Sequence, residues 1–331
     1  MNSIKKIVIL GGGTSGWIAA AMLAAHVRRD LCSIELIESD DIGAVGVGES
    51  TIPPVVRLIT SLGIDEEDFI RETQACYKLG IKFVDWRHRN QSYFHPYGAI
   101  GQRIGSQDFY QCWLKATMAG ESYPLQDFSP CSVMAAQGRF FLPSQSMNTP
   151  IGGAGYAIHL DAKLVAAYLR RYAEARGVTR SEGNYVAVER RDNGFISALV
   201  LADGRKIEGD FFIDCSGFKS LLLQSALKVT YKSFKENLFN NAAVVMPTAM
   251  AEIIPPETKS TALSNGWAWK IPLTNRFGNG YVYSADYITP DQAEAELRQH
   301  LGMLDSDVAA RHLQMKVGRV EKHWAKNCVA V

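Results

Sequence analysis

Apolar positions fall into blocks whose period changes along the chain. Residues 4–10 form an apolar run broken only by Lys5 and Lys6, the pattern of a strand buried on both faces. An alanine-rich apolar helix is predicted over residues 17–25, then a second strand over 33–37 that ends in Glu38. Further helices are predicted after Pro53, with Ser50 or Thr51 as cap, over residues 65–73, and from the cap Asp161 to about 176. Residues 185–212 alternate with period two and are broken by Asp192-Asn193-Gly194 and Asp203-Gly204, both hairpin turn sequences, so a β-meander is expected there. Residues 77–86 read as one strand, with Lys78, Gly80, Lys82, Val84 and Trp86 on one face and Tyr77, Leu79, Ile81 and Phe83 on the other. Trp267 and Trp269, spaced i, i+2 ahead of Ile271-Pro272, would point the same way in a strand. Residues 88–155 are rich in aromatics, Gly, Gln and Ser without a clear period, and are expected to line a site rather than build a sheet.

The first strand, helix and second strand bracket Gly11-Gly12-Gly13-Thr14-Ser15-Gly16, which places a GxGxxG turn inside a βαβ unit. Each glycine has a task. Gly11 permits the tight turn, Gly13 lets backbone approach a pyrophosphate at the helix N-terminus, and Gly16 lets helix and strand pack closely. Glu38 is placed to accept from ribose hydroxyls. The alternative is a glycine turn in a non-binding α/β protein, and strand, helix and terminal acid together favour a dinucleotide. The motif does not separate NAD from FAD. A β-meander inserted between two parts of a dinucleotide fold, with no second GxGxxG, resembles the layout of the glutathione-reductase-like FAD proteins. Residues 43–54 hold Gly43, Gly46 and Gly48 close together and form either a strap that presents backbone amides to a cofactor or a plain loop.

Lys plus Arg is 35 against 34 Asp plus Glu, so no overall field exists to attract nucleic acid or anionic lipid. No uncharged apolar run is long enough to span a bilayer, and the N-terminus lacks the apolar core of a signal peptide. The six cysteines are scattered without a CxxC pair, as expected of reduced thiols in a cytoplasmic protein, and the histidines show no metal-ligand spacing. No metal is expected.

Seven segments in order, Gly11 to Trp17, Gly46 to Pro53, Tyr77 to Phe83, Asp214 to Phe218, Trp267 to Pro272, Gly278 to Tyr283 and Val317 to Arg319, resemble the flavin-dependent halogenases of the tryptophan halogenase family. The glycine loop alone is weak; the lysine segment with the WxWxIP segment is specific. The resemblance implies a glutathione-reductase-like α/β FAD-binding fold with a β-meander insertion and an appended substrate lobe. It would form a single unit, with a discontinuous FAD module over 1–75, 156–225 and 318–331 and a substrate-facing lobe over 76–155 and 226–317. It implies reduced FAD delivered by a separate flavin reductase, halide as co-substrate, and chlorination or bromination of an electron-rich aromatic such as tryptophan or another indole.

Residue by residue, the resemblance implies Lys78 as the catalytic lysine that aims hypohalous acid. The residues themselves leave Lys78 and Lys82 undecided, and a strand lysine is ordinarily a solvated one. Gly11, Gly13, Thr14, Ser15 and Gly16 match the pyrophosphate loop, Glu38 and Ser39 the ribose end, and Ala44, Gly48, Glu49 and Ser50 the strap near the flavin. Val186 matches a backbone contact for adenine. His95 and Tyr97 match positions that sandwich the substrate ring, with Pro96 between them a departure, and His95 reads equally as a core histidine. Trp267 and Trp269 match residues near the flavin that obstruct hydroxylation, against the plain reading of an aromatic core pair.

The chain stops at Val331 inside an apparent buried strand, so the natural protein is expected to continue and the halide-binding segment to lie beyond. The rivals are an FAD-dependent aromatic hydroxylase and a truncated, non-catalytic flavin-binding paralogue.

Overall fold

The continuous apolar run near the N-terminus becomes an interior strand of a six-stranded sheet in the computed structural model, which describes residues 3–42, 48–145 and 147–331. The sheet order is Trp324–Ala325, Cys328–Ala330, Phe211–Asp214, Lys6–Leu10, Ser33–Glu38, Thr179–Glu182, and all neighbours are parallel except the first pair. Burial on both faces explains the unbroken Ile-Val-Ile-Leu run; Val8 and Ile9 are fully buried.

The chain divides into two compact units. The first comprises residues 1–46, 162–241 and 315–331. It contains this sheet, helices Thr14–His26 and Ala162–Glu174, and the expected meander, Tyr185–Arg190, Ile196–Leu201 and Lys206–Glu208, with antiparallel turns where the Asn-Gly and Asp-Gly signals stand. Strand Phe211–Asp214, read from the sequence as the tail of that meander, instead joins the parallel sheet beside Lys6–Leu10.

The second unit comprises residues 47–161 and 242–314. Its large sheet runs Arg311–Gln314, Ala242–Thr248, Phe277–Tyr283, Gly266–Pro272, Glu257–Leu263, Gly80–Val84, Ser92–Pro96, and a small one runs Glu49–Ser50, Ala157–Leu160, Cys76–Lys78. The units divide elsewhere than the sequence suggests. Residues 47–75 belong with the second because Glu49–Ser50 pairs with Ala157–Leu160, and residues 226–241 with the first because Tyr231–Ser233 pairs with Gly318–Val320.

Three further sequence expectations change. Residues 77–86 are not one strand: Cys76–Lys78 lies in the small sheet and Gly80–Val84 in the large one. At Leu79 the backbone changes partners; its amide donates to Pro256 O and its carbonyl accepts from Tyr97 N. The helix after Pro53 runs Pro54–Ser61 with Pro53 itself at the cap, so Ser50 and Thr51 do not cap it; their hydroxyls turn to Thr258 and the Ile158 carbonyl. The aperiodic stretch 88–155 does build structure, supplying the edge strand Ser92–Pro96 and the helices Phe109–Met118 and Pro130–Ala136. Among the described residues no helix is long and apolar enough to cross a membrane, and no cluster of ligating side chains is placed to hold a metal.

Candidate active site

In the first unit the glycine turn opens the helix Thr14–His26. Gly11 sits at φ +113° with no room for a side chain, since a Cβ there would lie 2.3 Å from the Cys215 carbonyl oxygen. A Cβ on Gly16 would lie 1.8 Å from the Gly11 carbonyl oxygen, so helix and turn touch backbone to backbone. Gly13 differs: nothing lies within 4 Å of where its Cβ would be, and no side chain caps this helix start. An uncapped helix N-terminus with open space before it suits an anion. Thr14 Oγ1 donates to the Ala162 carbonyl, and Ser15 lies against Cys215, whose thiol burial pushes up to about 12.

Glu38 closes the far end of the βαβ unit. Its carboxylate accepts from Trp17 Nε1 at 3.2 Å and from Arg180 Nε at 2.6 Å. Arg180 also engages Asp40. Arg180 has no local sign in the sequence and reaches Glu38 from the neighbouring strand Thr179–Glu182. Ser39 Oγ accepts from the Asp41 amide, and Val186 is exposed on the meander. Ala44 lies outside the described residues.

In the second unit the small sheet carries the lysine. Register places Ser50 opposite His159 and Cys76 also opposite His159, so Ser50, His159, Cys76 and, two residues on, Lys78 share one face. Lys78 is 1% exposed. Its Nζ donates to Ser50 Oγ at 2.7 Å and to the Thr51 carbonyl at 2.8 Å, and stands 5.2 Å from the centre of the Tyr97 ring. Burial draws the amine from 10.5 down to about 8. Lys82 differs. On the large sheet it is paired with Lys259, which is paired with Lys270, and with Glu257 close by they form a half-exposed charged row on the face opposite Trp267 and Trp269. The burial that distinguishes the two lysines comes from the change of sheet at Leu79, which no period-two reading contains.

The other face of the large sheet is aromatic. Trp267, Trp269 and Ile271 share it with Ser260 and Thr258 on one neighbouring strand and Gly278 and Gly280 on the other. The Trp267 and Trp269 rings are 6.1 Å apart, and Trp86 lies 6.1 Å from Trp267. Trp269 lies over Gly280, where a Cβ would come within 2.2 Å of the indole. Its Nε1 is buried without a partner among the described residues. Gly48, at φ +87°, rests against Leu273, Gly278 and Ile271 at the proline end of the same strand, and Glu49 begins the short strand that carries Ser50. His95 is exposed, whereas Tyr97 is buried with its hydroxyl on the Thr51 carbonyl at 3.2 Å. The structure thus gathers Lys78, Ser50 and Tyr97 and leaves His95 apart from them at the surface. Residues that sequence reasoning passed over complete the cluster: His159 Nε2 lies 2.9 Å from Thr258 Oγ1, which lies 2.6 Å from Ser50 Oγ.

The family model described as tryptophan halogenase matches residues 6–331. The chain is 35% identical over 353 residues to tryptophan 6-halogenase SttH of Streptomyces toxytricini, covering 98% of this chain and 66% of that protein. Among solved structures, BrvH, a flavin-dependent halogenase from Brevundimonas sp. BAL3, superposes with a TM-score of 0.92 at 41% identity, covering 99% of this chain and 66% of that one. Xcc4156, a flavin-dependent halogenase from Xanthomonas campestris, does so with a TM-score of 0.92 at 40% identity, covering 100% and 66%. The α/β FAD-binding fold is therefore shared, and the chain spans about two thirds of the length of the relatives it matches.

Proposed function

The chain belongs to the tryptophan halogenase family, and from that premise we propose that its protein halogenates an electron-rich aromatic ring, an indole such as tryptophan, with reduced FAD, oxygen and chloride or bromide. The observation that carries this reading is the Lys78 amine, almost wholly buried yet held by two oxygen acceptors. A lysine that served only solubility would be solvated.

Reduced FAD held in this site would supply, together with oxygen, the two-electron oxidation that halide needs to become hypohalous acid. The chain's own residues do the rest. Gly11, Gly13 and Gly16 shape the turn, and with Thr14 and Ser15 the start of the helix holds the pyrophosphate by backbone amides. Glu38, kept in place by Trp17 and Arg180, accepts from the ribose, with Ser39 beside it and the Val186 backbone toward the adenine. Ala44, Gly48, Glu49 and Ser50 form the strap on the flavin side. Burial brings the Lys78 amine from 10.5 down to about 8, so that it can act as an ammonium that donates to the hypohalous oxygen or as an amine that is itself halogenated. Trp267 and Trp269 form a wall that keeps the oxidising centre from hydroxylating the ring, and His95 and Tyr97 contribute to the substrate's seat. A flavin reductase is the partner that supplies FADH2, and the protein works free of membrane and nucleic acid, in the cytoplasm.

The test supplies a reductase, NADH, FAD, oxygen, bromide and a panel of indoles, and identifies products by mass. Brominated product that disappears in Lys78→Ala, with FAD binding retained, supports the proposal. Oxygenated product without halogen would identify an aromatic hydroxylase, and flavin binding without product a non-catalytic relative.

A further inference from the structure

Five polar side chains on and beside the small sheet form a continuous line, and the donor at every step follows from its ends. The Pro272 carbonyl can only accept. It lies 3.2 Å from Cys76 Sγ, whose single proton is committed to it. The sulfur is 3.5 Å from His159 Nδ1 and must therefore accept from that nitrogen. His159 is fully buried and held neutral, its basicity lowered first by burial and then by the charge of Lys78. With Nδ1 protonated, Nε2 carries the lone pair and accepts from Thr258 Oγ1 at 2.9 Å. Thr258 Oγ1 in turn receives the Ser50 proton across 2.6 Å. Ser50 has then spent its proton, and only lone pairs face Lys78 Nζ at 2.7 Å. Lysine, at the other end, is a donor when charged. Both ends demand the same polarity.

We propose that Ser50, Thr258 and His159 are positioning residues whose one-way hydrogen-bond chain, anchored through Cys76 on the proline of the WxWxIP segment, keeps the Lys78 amine charged and aimed. This rests on the reading of Lys78 as the catalytic amine. Without the chain the Ser50 hydroxyl is free to turn and donate to an uncharged amine, which favours loss of the proton. The chain is no proton exit, because it ends on an amide oxygen that cannot take up the charge. Other titratable groups do not substitute for it. Tyr97 presents a ring and spends its hydroxyl on Thr51, Glu49 and Tyr77 point to the opposite face of the small sheet, and Glu257 lies among Lys82 and Lys259 on the opposite face of the large one. Cys76 stays a thiol, since burial pushes it up to about 12.

Two measurements on the intact protein decide the matter. Nitrogen-15 histidine spectra of the wild type should show His159 as the Nδ1–H tautomer, without titration between about pH 6 and 9. Carbon-13 labelling at lysine Cε, assigned with Lys78→Met, should show the Lys78 midpoint falling by about one pH unit in Thr258→Val and returning in Thr258→Ser, with the basic limb of kcat/KM moving equally. An Nε2–H tautomer overturns the proposal, as does an unchanged midpoint in a folded Thr258→Val. Should that variant fail to fold, the wild-type tautomer alone settles the direction of the chain. Neither spectrum needs turnover, so a wild type that yields no halogenated product sinks the halogenase reading and leaves the chain standing.

Discussion

Ser50 and Lys78 meet from the two edge strands of a three-stranded sheet, hydroxyl to amine at 2.7 Å, with His159 on the strand between them. The glycine-rich strap and the lysine segment, 28 residues apart in sequence, thus converge on one hydrogen bond.

That burial has a thermodynamic signature. In the folded chain Lys78 loses its proton near 8, whereas in the unfolded chain it does so near 10.5. Between those values the unfolded state binds more protons, so folding stability rises with pH across this window, and the penalty of the buried charge is complete below it. Relative to Lys78→Met, the wild type should gain about 2–3 kcal/mol between pH 7 and pH 10. Denaturant titrations of both proteins at the two pH values check this; a constant difference between them would count against a buried amine.

Gly16 and Gly13 should fail in different ways. Gly16→Ala drives a methyl into the Gly11 carbonyl and is expected to cost about 3 kcal/mol of stability. Gly13→Ala meets nothing within 4 Å and should fold with an unchanged melting temperature, yet bind FAD at least tenfold more weakly because its methyl stands where the pyrophosphate would lie. Calorimetry and flavin titration separate the two. Full FAD affinity in Gly13→Ala would remove the helix start from the binding site.

Gly280 supports the tryptophan wall by having no side chain. Gly280→Val must displace the Trp269 indole, and the ratio of oxygenated to halogenated product should rise several-fold, at a stability cost of about 2 kcal/mol. Trp269→Phe keeps an aromatic plane and removes an indole N–H that has no partner among the described residues, so it should disturb that ratio less. Equal ratios in the wild type, Gly280→Val and Trp269→Ala would assign the pair to packing alone.

Glu38 holds Trp17 and Arg180, with Arg170 at 3.7 Å, as well as its proposed ligand. Glu38→Gln keeps an acceptor for Trp17 and gives up the charge facing the nearly buried Arg180 guanidinium. A stability loss of about 1–2 kcal/mol, measured by chemical denaturation without flavin, is expected. Glu38→Ala should lose more, because Trp17 is stranded too.

What was legible in the sequence was local. The βαβ unit announces itself because strand, glycine turn and helix are contiguous, and the meander because Asn-Gly and Asp-Gly fix their turns. The choice between Lys78 and Lys82 was not legible from spacing, because a period-two reading assumes one continuous strand and the chain leaves one sheet for another at Leu79. His159, Thr258 and Arg180 were invisible for a related reason. His159 is one polar residue in an apolar strand, Thr258 and Arg180 are polar residues among other polar ones, and the contacts they make span 99 and 142 residues of chain. The aperiodic residues 88–155 hid an edge strand because an edge has a solvated side and little alternation to display.

The crossing at Leu79 is one residue long. Its amide and carbonyl are both taken by backbone, so the segment has no slack in which to absorb an insertion. One added residue there would turn Phe83 and its aromatic neighbours to the far side of their sheet or rotate the amine out of its pocket. That one backbone residue thus couples the lysine of the small sheet to the tryptophan wall of the large one.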